Sequence, residues 1–315
     1  MAERKALPQK ARARYREISG KGHVKIAQTL RPSFWRREHH LDRMSLRELV
    51  IAYFQYPAII AYLALAAASA TTFAWRPAPL APTLLAIAAA SLVALGAFVW
   101  RPAPLLPALV AVVAASLVYP LFWYLIHRYV LHSRWMFKVP VLASTWKRIH
   151  YDHHQDPNHL EVLFGALHTT LPTIALGVFP LGYAIGGAWT GDWSLTGPAM
   201  GTGMAALATG LLTTCVYEFV HCIQHLAYKP RSPLLAEMKK RHLAHHFHDE
   251  DGNYGITTFF WDKVFGTYYD RPERPKKSPT VFNLGYDEEA AQRWPWVAEL
   301  SGGVATGHPR QRDRA

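Results

Sequence analysis

Four short segments of the chain are dense in histidine, a side chain whose ring nitrogens bind transition metals. They read HRYVLH, HYDHH, HCIQH and HLAHH, and they begin at residues 127, 150, 221 and 242. The candidate metal ligands are the ten histidines of these segments: His127, His132, His150, His153, His154, His221, His225, His242, His245 and His246. Because a buried imidazole is costly unless its nitrogens find partners, clusters of this kind favour a metal site over a solvated surface.

The spacing within the segments is suited to helices. Histidines three or four residues apart lie on one helix face, so three of the segments can each offer their ligands to one point. His127 and His132 are five residues apart, which overshoots a helical turn. The sequence predicts here either a local irregularity or two rings that serve different ions. Imidazole-rich sites suit iron, zinc, copper or nickel rather than magnesium or calcium. Ten ligands exceed the needs of one ion, and we therefore expect two.

Long apolar segments precede or follow the histidine segments. These apolar segments are residues 51–75, 80–100, 104–126, 162–190 and 195–220. About 20 apolar residues suffice for a helix to cross the roughly 30 Å core of a bilayer. The sequence therefore predicts an all-α, polytopic membrane bundle of about four to five spans with a histidine-rich cap. The number of spans between residues 51 and 126 stays open, because three crossings there would put the N-terminal residues and His127 on opposite sides.

The net charge of +12 is concentrated outside the apolar segments. Under the positive-inside rule, the N-terminal residues, the histidine segments and the C-terminal residues share the cytoplasmic side. We therefore expect an integral, multi-pass membrane protein whose metal site is cytoplasmic. No basic stripe alternates with stacking aromatic residues, which argues against a nucleic-acid partner.

The chain divides by composition into three parts. Residues 1–50 are predicted to form a basic cytoplasmic arm, and residues 51–270 a membrane-embedded domain with its histidine motifs in 127–246. Residues 271–315 are polar and rich in proline and charge, which predicts a mobile tail.

The motifs together resemble a known family. The order HRYVLH, HYDHH, YEFVHCIQH, HLAHH, followed by NYGITTFFWDKVFGT, resembles the fatty acid hydroxylase superfamily of membrane di-metal enzymes over about residues 118–270. The first and third motifs look more like the fatty acid 2-hydroxylase branch than the sterol desaturase branch. The resemblance implies a fatty acid hydroxylase domain whose ten histidines bind two iron ions, with zinc able to replace iron in preparations. It implies an O2-dependent monooxygenase that hydroxylates a lipid acyl chain, of the fatty acid or ceramide type, by abstracting hydrogen.

The resemblance also implies a source of electrons. The yeast and animal hydroxylases carry a fused cytochrome b5 domain, whereas nothing in the first 50 residues is suited to hold haem. We therefore expect a separate electron donor, either cytochrome b5-like or a ferredoxin with its reductase.

Five further polar residues are candidates for the site. Asp152 and Glu218 lie close to ligands and are expected to orient imidazoles as hydrogen-bond acceptors. His248 and Asn253 are candidates for supporting the ligands or for binding a water ligand. His168 lies in an apolar segment and is a candidate for the substrate tunnel, with a hydrogen bond to a neighbouring threonine as the simpler interpretation.

Other functions remain open from the sequence. A sterol-type desaturase or a carotenoid ring hydroxylase would use the same metals, because those reactions also begin with hydrogen abstraction. A zinc-dependent membrane hydrolase would use a metal-bound water as its nucleophile, although the chain contains no HExxH motif. A metal transporter would place its ligands inside the spans, whereas these histidines gather where the spans end.

Overall fold

The computed structural model describes residue 41 and residues 44–74 and 103–304, and this part of the chain is helical without any β-strand. Its α-helices are α1 (Leu46–Gln55), α2 (Pro57–Ala74), α3 (Leu105–Ile126), α4 (Pro140–Trp146), α5 (Asp152–Gln155), α6 (Leu167–Thr190), α7 (Pro198–His225), α8 (Pro233–Phe247), α9 (Phe260–Val264), α10 (Glu288–Arg293) and α11 (Trp296–Ser301). The predicted all-α fold is confirmed.

Three of these helical stretches are long and apolar enough to cross a membrane: Leu105–Leu131, Leu167–Thr190 and Pro198–His225. Helix α1 and the Pro57–Ala68 part of α2 pass the same test together, but they are bent by 64° at the break between them. The described residues therefore hold three candidate spans, or four if the bent pair is one span. The apolar segment 80–100 lies outside the described residues.

The described chain falls into two compact units. We call residues 47–123 and 166–220 the helical unit, and residues 124–165 and 221–304 the histidine unit. All ten candidate histidines belong to the histidine unit, while His168 belongs to the helical unit.

Small residues let α6 and α7 approach closely within the helical unit. A Cβ on Gly182 would lie 2.6 Å from the Thr202 carbonyl oxygen, and one on Gly210 would lie 2.7 Å from Cγ2 of Val178. Close helix packing through small residues is a common arrangement in membranes, where lipid supplies no hydrophobic drive for helices to associate. The two longest helices of this unit are therefore held by contact along their length.

The core of the histidine unit includes residues that were expected to be mobile. Trp146 and Tyr151 are fully buried, and they share one hydrophobic cluster with Tyr286 and Val297 from the C-terminal part of the chain. The Tyr286 hydroxyl donates to the Trp294 carbonyl at 2.7 Å. The prediction of a mobile tail from residue 271 is thus corrected for residues 271–304, because the apolar side chains spaced among the charged ones are enough to dock this segment.

Candidate metal centre

Nine of the ten candidate histidines form two groups, and within each group the ligand nitrogens lie within 4.8 Å of one another. Group A comprises His153, His221, His225, His242 and His246. Group B comprises His127, His132, His154 and His245. The tenth, His150, adjoins group B, with its Nε2 at 2.9 Å from Nε2 of His132. The structure therefore brings all ten residues together around two positions.

Each HxxHH motif is divided between the two groups. His153 faces group A and His154 faces group B, while His246 faces group A and His245 faces group B. The expectation that a motif serves one point is therefore corrected for the two HxxHH motifs, while HCIQH does serve one point, because His221 and His225 both belong to group A. Adjacent residues on a helix are rotated by about 100°, so two neighbouring rings diverge and one helix can supply both groups.

A π-helical segment explains the five-residue spacing of the first motif. His127–Leu131 is π-helical, and the His132 amide donates to the His127 carbonyl at 3.1 Å. Because a π-turn contains more residues than an α-turn, the two rings come to the same side, with their Nε2 atoms 3.2 Å apart. Of the two alternatives left by the sequence, the structure has the local irregularity, and both rings belong to group B.

Backbone carbonyls fix the orientation of three group B rings. The Nδ1 atoms of His127, His154 and His245 lie 2.7, 2.9 and 2.8 Å from the carbonyl oxygens of Tyr254, Val281 and Gly252, respectively. A carbonyl can only accept, so each Nδ1 carries the proton and each Nε2 presents a lone pair. Metal-binding histidines are commonly oriented in this way by a partner on the other nitrogen.

Several ring nitrogens have no hydrogen-bond partner among the residues that the structure describes. Both nitrogens of His153 and His246 are buried in this state, as are Nε2 of His154 and His245. Buried polar atoms are rarely left so in native proteins. Nitrogen lone pairs that converge in two groups without a carboxylate fit a transition-metal cation at each, which is the donor set that iron or zinc accepts.

Burial keeps the imidazoles neutral. It lowers the pKa of His154 to about 3, and burial together with the neighbouring histidines lowers the pKa of His153 and His246 well below the ordinary value. A neutral imidazole is the form that binds a metal. The candidate ligands are therefore in their metal-binding form at neutral pH.

The metal-free protein should lose stability as the pH falls. Between the lowered pKa of His154, about 3, and the ordinary value of 6.5, the unfolded chain binds more protons than the folded chain. The free energy of unfolding should therefore be insensitive to these groups above about pH 6.5 and should decrease as the pH drops towards about 3. Thermal unfolding of chelator-treated protein in detergent, measured from about pH 4 to 8, checks this. A melting temperature that rises on acidification would contradict it.

Asp152 and Glu218 belong to neither ligand group. Asp152 is fully buried on α5 and accepts two hydrogen bonds from Nζ of Lys147, at 2.6 and 2.9 Å. Lys147 and Asp152 are brought together across a second π-helical segment, Lys147–Tyr151. Glu218 is buried on α7 one turn before His221, in the helical unit.

Removing the cation of this ion pair should be costly. Lys147→Met would remove the buried cation that donates twice to the Asp152 carboxylate, and losing one partner of a buried ion pair typically lowers stability by about 3–5 kcal/mol. Denaturant or thermal unfolding in detergent measures the loss. The matched control is Arg293→Met, which breaks the exposed Arg293–Glu289 pair and should cost about 1 kcal/mol or less. Equal losses in the two variants would contradict a stabilising role for the buried pair.

The other sequence candidates have separate positions. His248 is paired through Nε2 with the Arg274 carbonyl at 2.6 Å. The side chain of Asn253 donates to the carbonyl and accepts from the amide of Tyr269, both at 3.1 Å. His168 is exposed in the first turn of α6 and is in neither ligand group. The adjacent hydroxyls of Thr169 and Thr170 donate to the Ala166 carbonyl.

Sequence reasoning missed the backbone groups that orient the rings. Every residue has a carbonyl, so no pattern marks those of Tyr254, Val281 and Gly252. The NYG motif was the available signal for Tyr254 and the preceding Gly252, because it lies just after the last of the ten histidines, whereas no motif marks Val281.

Comparison with known proteins places this arrangement in a family. Residues 112–267 match the model of the fatty acid hydroxylase family. This part of the chain is a fatty acid hydroxylase domain. The hydroxylase domain contains all ten candidate histidines, whereas Val281, whose carbonyl orients His154, lies beyond it.

Relatives of the hydroxylase domain act on lipids, as their names state. A dihydroceramide fatty acyl 2-hydroxylase of Arabidopsis thaliana is 32% identical over 156 residues, which is 48% of this chain and 56% of that protein. A ceramide very long chain fatty acid hydroxylase of Saccharomyces cerevisiae is 27% identical over 165 residues, 50% of this chain and 37% of that protein. The human fatty acid 2-hydroxylase is 27% identical over 152 residues, 48% of this chain and 37% of that protein. The chain thus spans about half the length of the plant relative and less of the others.

Proposed function

We propose that this protein is an O2-dependent membrane hydroxylase that adds a hydroxyl group to a lipid acyl chain, of the fatty acid or ceramide type. The observation that carries the proposal is the pair of buried, all-nitrogen histidine groups within a fatty acid hydroxylase domain. The names of the relatives support an acyl-chain substrate.

Groups A and B would each hold one iron ion. Bound iron would supply the oxygen chemistry, which is the removal of hydrogen from an unactivated C–H bond and its replacement by hydroxyl. The protein contributes the rest. Its carbonyls hold three group B rings in the Nδ1–H tautomer, and burial keeps the imidazoles neutral.

The membrane character of the protein suits a lipid substrate. The candidate spans mark the protein as one of the membrane, where hydrocarbon chains are the substrates at hand. The basic charge outside the spans supports a metal centre on the cytoplasmic side. Electrons would come from a separate donor, either cytochrome b5-like or a ferredoxin with its reductase.

Lipid mass spectrometry tests the proposed reaction. Cells that express the protein should contain an acyl lipid with one added oxygen, and cells that express a His245→Ala, His246→Ala double variant should not. The control is Lys240→Ala on the same helix, since Lys240 is exposed and paired with Asp270 at the surface. A lipid that instead loses two hydrogens would make the enzyme a desaturase. A lipid that is cleaved by the protein without O2 would point to the zinc-dependent membrane hydrolase.

A further inference from the structure

Asp262 is a buried acid that lies outside both ligand groups. It is fully buried, whereas Phe260 and Val264 of the same short helix α9 are more than half exposed. A buried carboxylate is costly unless it is well bonded. The contacts of Asp262 therefore indicate what it is for.

The carboxylate of Asp262 accepts three hydrogen bonds from two segments. Oδ1 accepts from the amide of Tyr254 and from the hydroxyl of Thr267, each at 2.8 Å. Oδ2 accepts from the amide of Gly255 at 2.8 Å. Asp262 thus binds two successive amides of the NYG segment.

The second of those amides belongs to the peptide that orients a candidate metal ligand. The Gly255 N–H and the Tyr254 carbonyl are the two ends of one planar peptide group. The N–H end donates to Asp262, and the carbonyl end accepts from Nδ1 of His127 at 2.7 Å. Because the group is rigid, fixing its N–H end fixes its carbonyl end. A charged acceptor on the N–H also makes the carbonyl a stronger acceptor.

The residues on either side of this peptide allow its close approach to Asp262. A Cβ on Gly255 would lie 2.8 Å from Oδ2 of Asp262 and would collide with the Thr258 carbonyl, so only glycine lets the peptide approach. Asn253 adopts a left-handed conformation with φ 53°, and its side chain is bonded to the backbone of Tyr269. The peptide between Tyr254 and Gly255 is therefore held from both sides.

We propose that Asp262 is a positioning residue for His127, the outer end of a carboxylate–peptide–imidazole chain directed at group B. The carboxylate holds the peptide, the peptide holds the Nδ1–H tautomer and ring plane of His127, and Nε2 faces the metal position. This inference rests on the proposed metal-binding function of group B. It assigns to Asp262 of the WD motif a role in metal affinity.

Asp262→Asn is the decisive variant, because asparagine has one acceptor oxygen for three donors. Loss of the partners that orient a ligand typically weakens metal binding by about 10–100-fold. We expect that loss at group B alone, with group A unchanged. Full-length protein is purified in detergent from iron-supplied cells, and iron per chain is measured by elemental analysis over a series of chelator concentrations. Wild type should retain two ions where Asp262→Asn retains one.

Two control variants separate positioning from stability. Thr267→Val removes one donor to Asp262 but leaves the Gly255 contact, so it should lower the melting temperature without weakening iron retention. Asp287→Asn alters a carboxylate that also accepts a backbone N–H, from Ala290 at 2.9 Å at the start of α10. This variant should change neither the melting temperature nor iron retention. If Asp262→Asn does not fold, Gly255→Ala displaces the same peptide and should show the same selective loss of one ion.

The outcomes are distinguishable. Two ions retained equally by wild type and by Asp262→Asn would overturn the positioning role and leave the proposed function intact. Equal weakening by Thr267→Val and Asp262→Asn would also overturn it, since general destabilisation would then explain both. Wild type that holds no metal would overturn the proposed function, and the inference with it.

Discussion

Replacing His245 by alanine and replacing His246 by alanine should each abolish lipid hydroxylation while removing metal from different positions. His245 belongs to group B and His246 to group A, although the two are adjacent on α8. Loss of a direct ligand should lower activity by more than the roughly 10–100-fold seen when only a ligand's partner is lost. Metal analysis of each single variant should give one ion per chain where wild type gives two.

Paired variants make this prediction specific. His242→Ala with His246→Ala removes two ligands of group A, so one ion should remain. His245→Ala with His246→Ala removes one ligand from each group, and both ions should be lost. If the two double variants retained the same amount of metal, the division of HLAHH between two positions would be wrong.

Ending the chain at Lys277 should destroy both the fold of the histidine unit and its metal binding. Tyr286 and Val297 fill the core around Trp146 and Tyr151, and truncating a single large core residue typically costs about 3–5 kcal/mol. The free energy lost by removing the whole segment should exceed the total stability of a typical domain, which is about 5–15 kcal/mol. The truncation also removes the Val281 carbonyl that orients His154. Detergent-stable yield, melting temperature and iron content measure these losses.

Point variants in the same segment give the matched comparison. Tyr286→Ala should destabilise by about 3–5 kcal/mol, since Tyr286 is fully buried. Leu300→Ala should change stability by about 0.5 kcal/mol or less, because that side chain is half exposed. A truncated chain with wild-type melting temperature and iron content would show that the tail is dispensable, as its composition alone suggested.

The gathering of the ten candidate histidines was predictable from the sequence, but their division between two groups was not. Histidines at helical spacing indicate a shared helix face, and all ten candidates lie around two positions. The group to which each ring of an HH pair belongs depends on the other histidines that the ring meets. Those histidines come from distant parts of the chain. The π-helical segment at His127 was predictable only as one of two alternatives, because spacing does not reveal how a helix is wound.

The C-terminal segment and Asp262 show a second limit. The average composition of residues 271–315 is dominated by charged residues and proline, so it does not reveal the few apolar side chains that dock the segment. Asp262 stood inside a specific motif, yet its three acceptor contacts form only when Tyr254, Gly255 and Thr267 meet. Tertiary contacts of backbone groups leave no composition signal.

The most direct test of the proposed reaction is isotopic. Cells expressing the protein are grown under heavy-isotope O2, with iron and a working electron donor supplied, and their acyl lipids are analysed by mass spectrometry. An acyl chain should gain one labelled oxygen in wild-type cells and none in cells with the His245→Ala, His246→Ala variant. A lipid product whose oxygen comes from water, or no lipid change at all, would contradict O2-dependent hydroxylation by this protein.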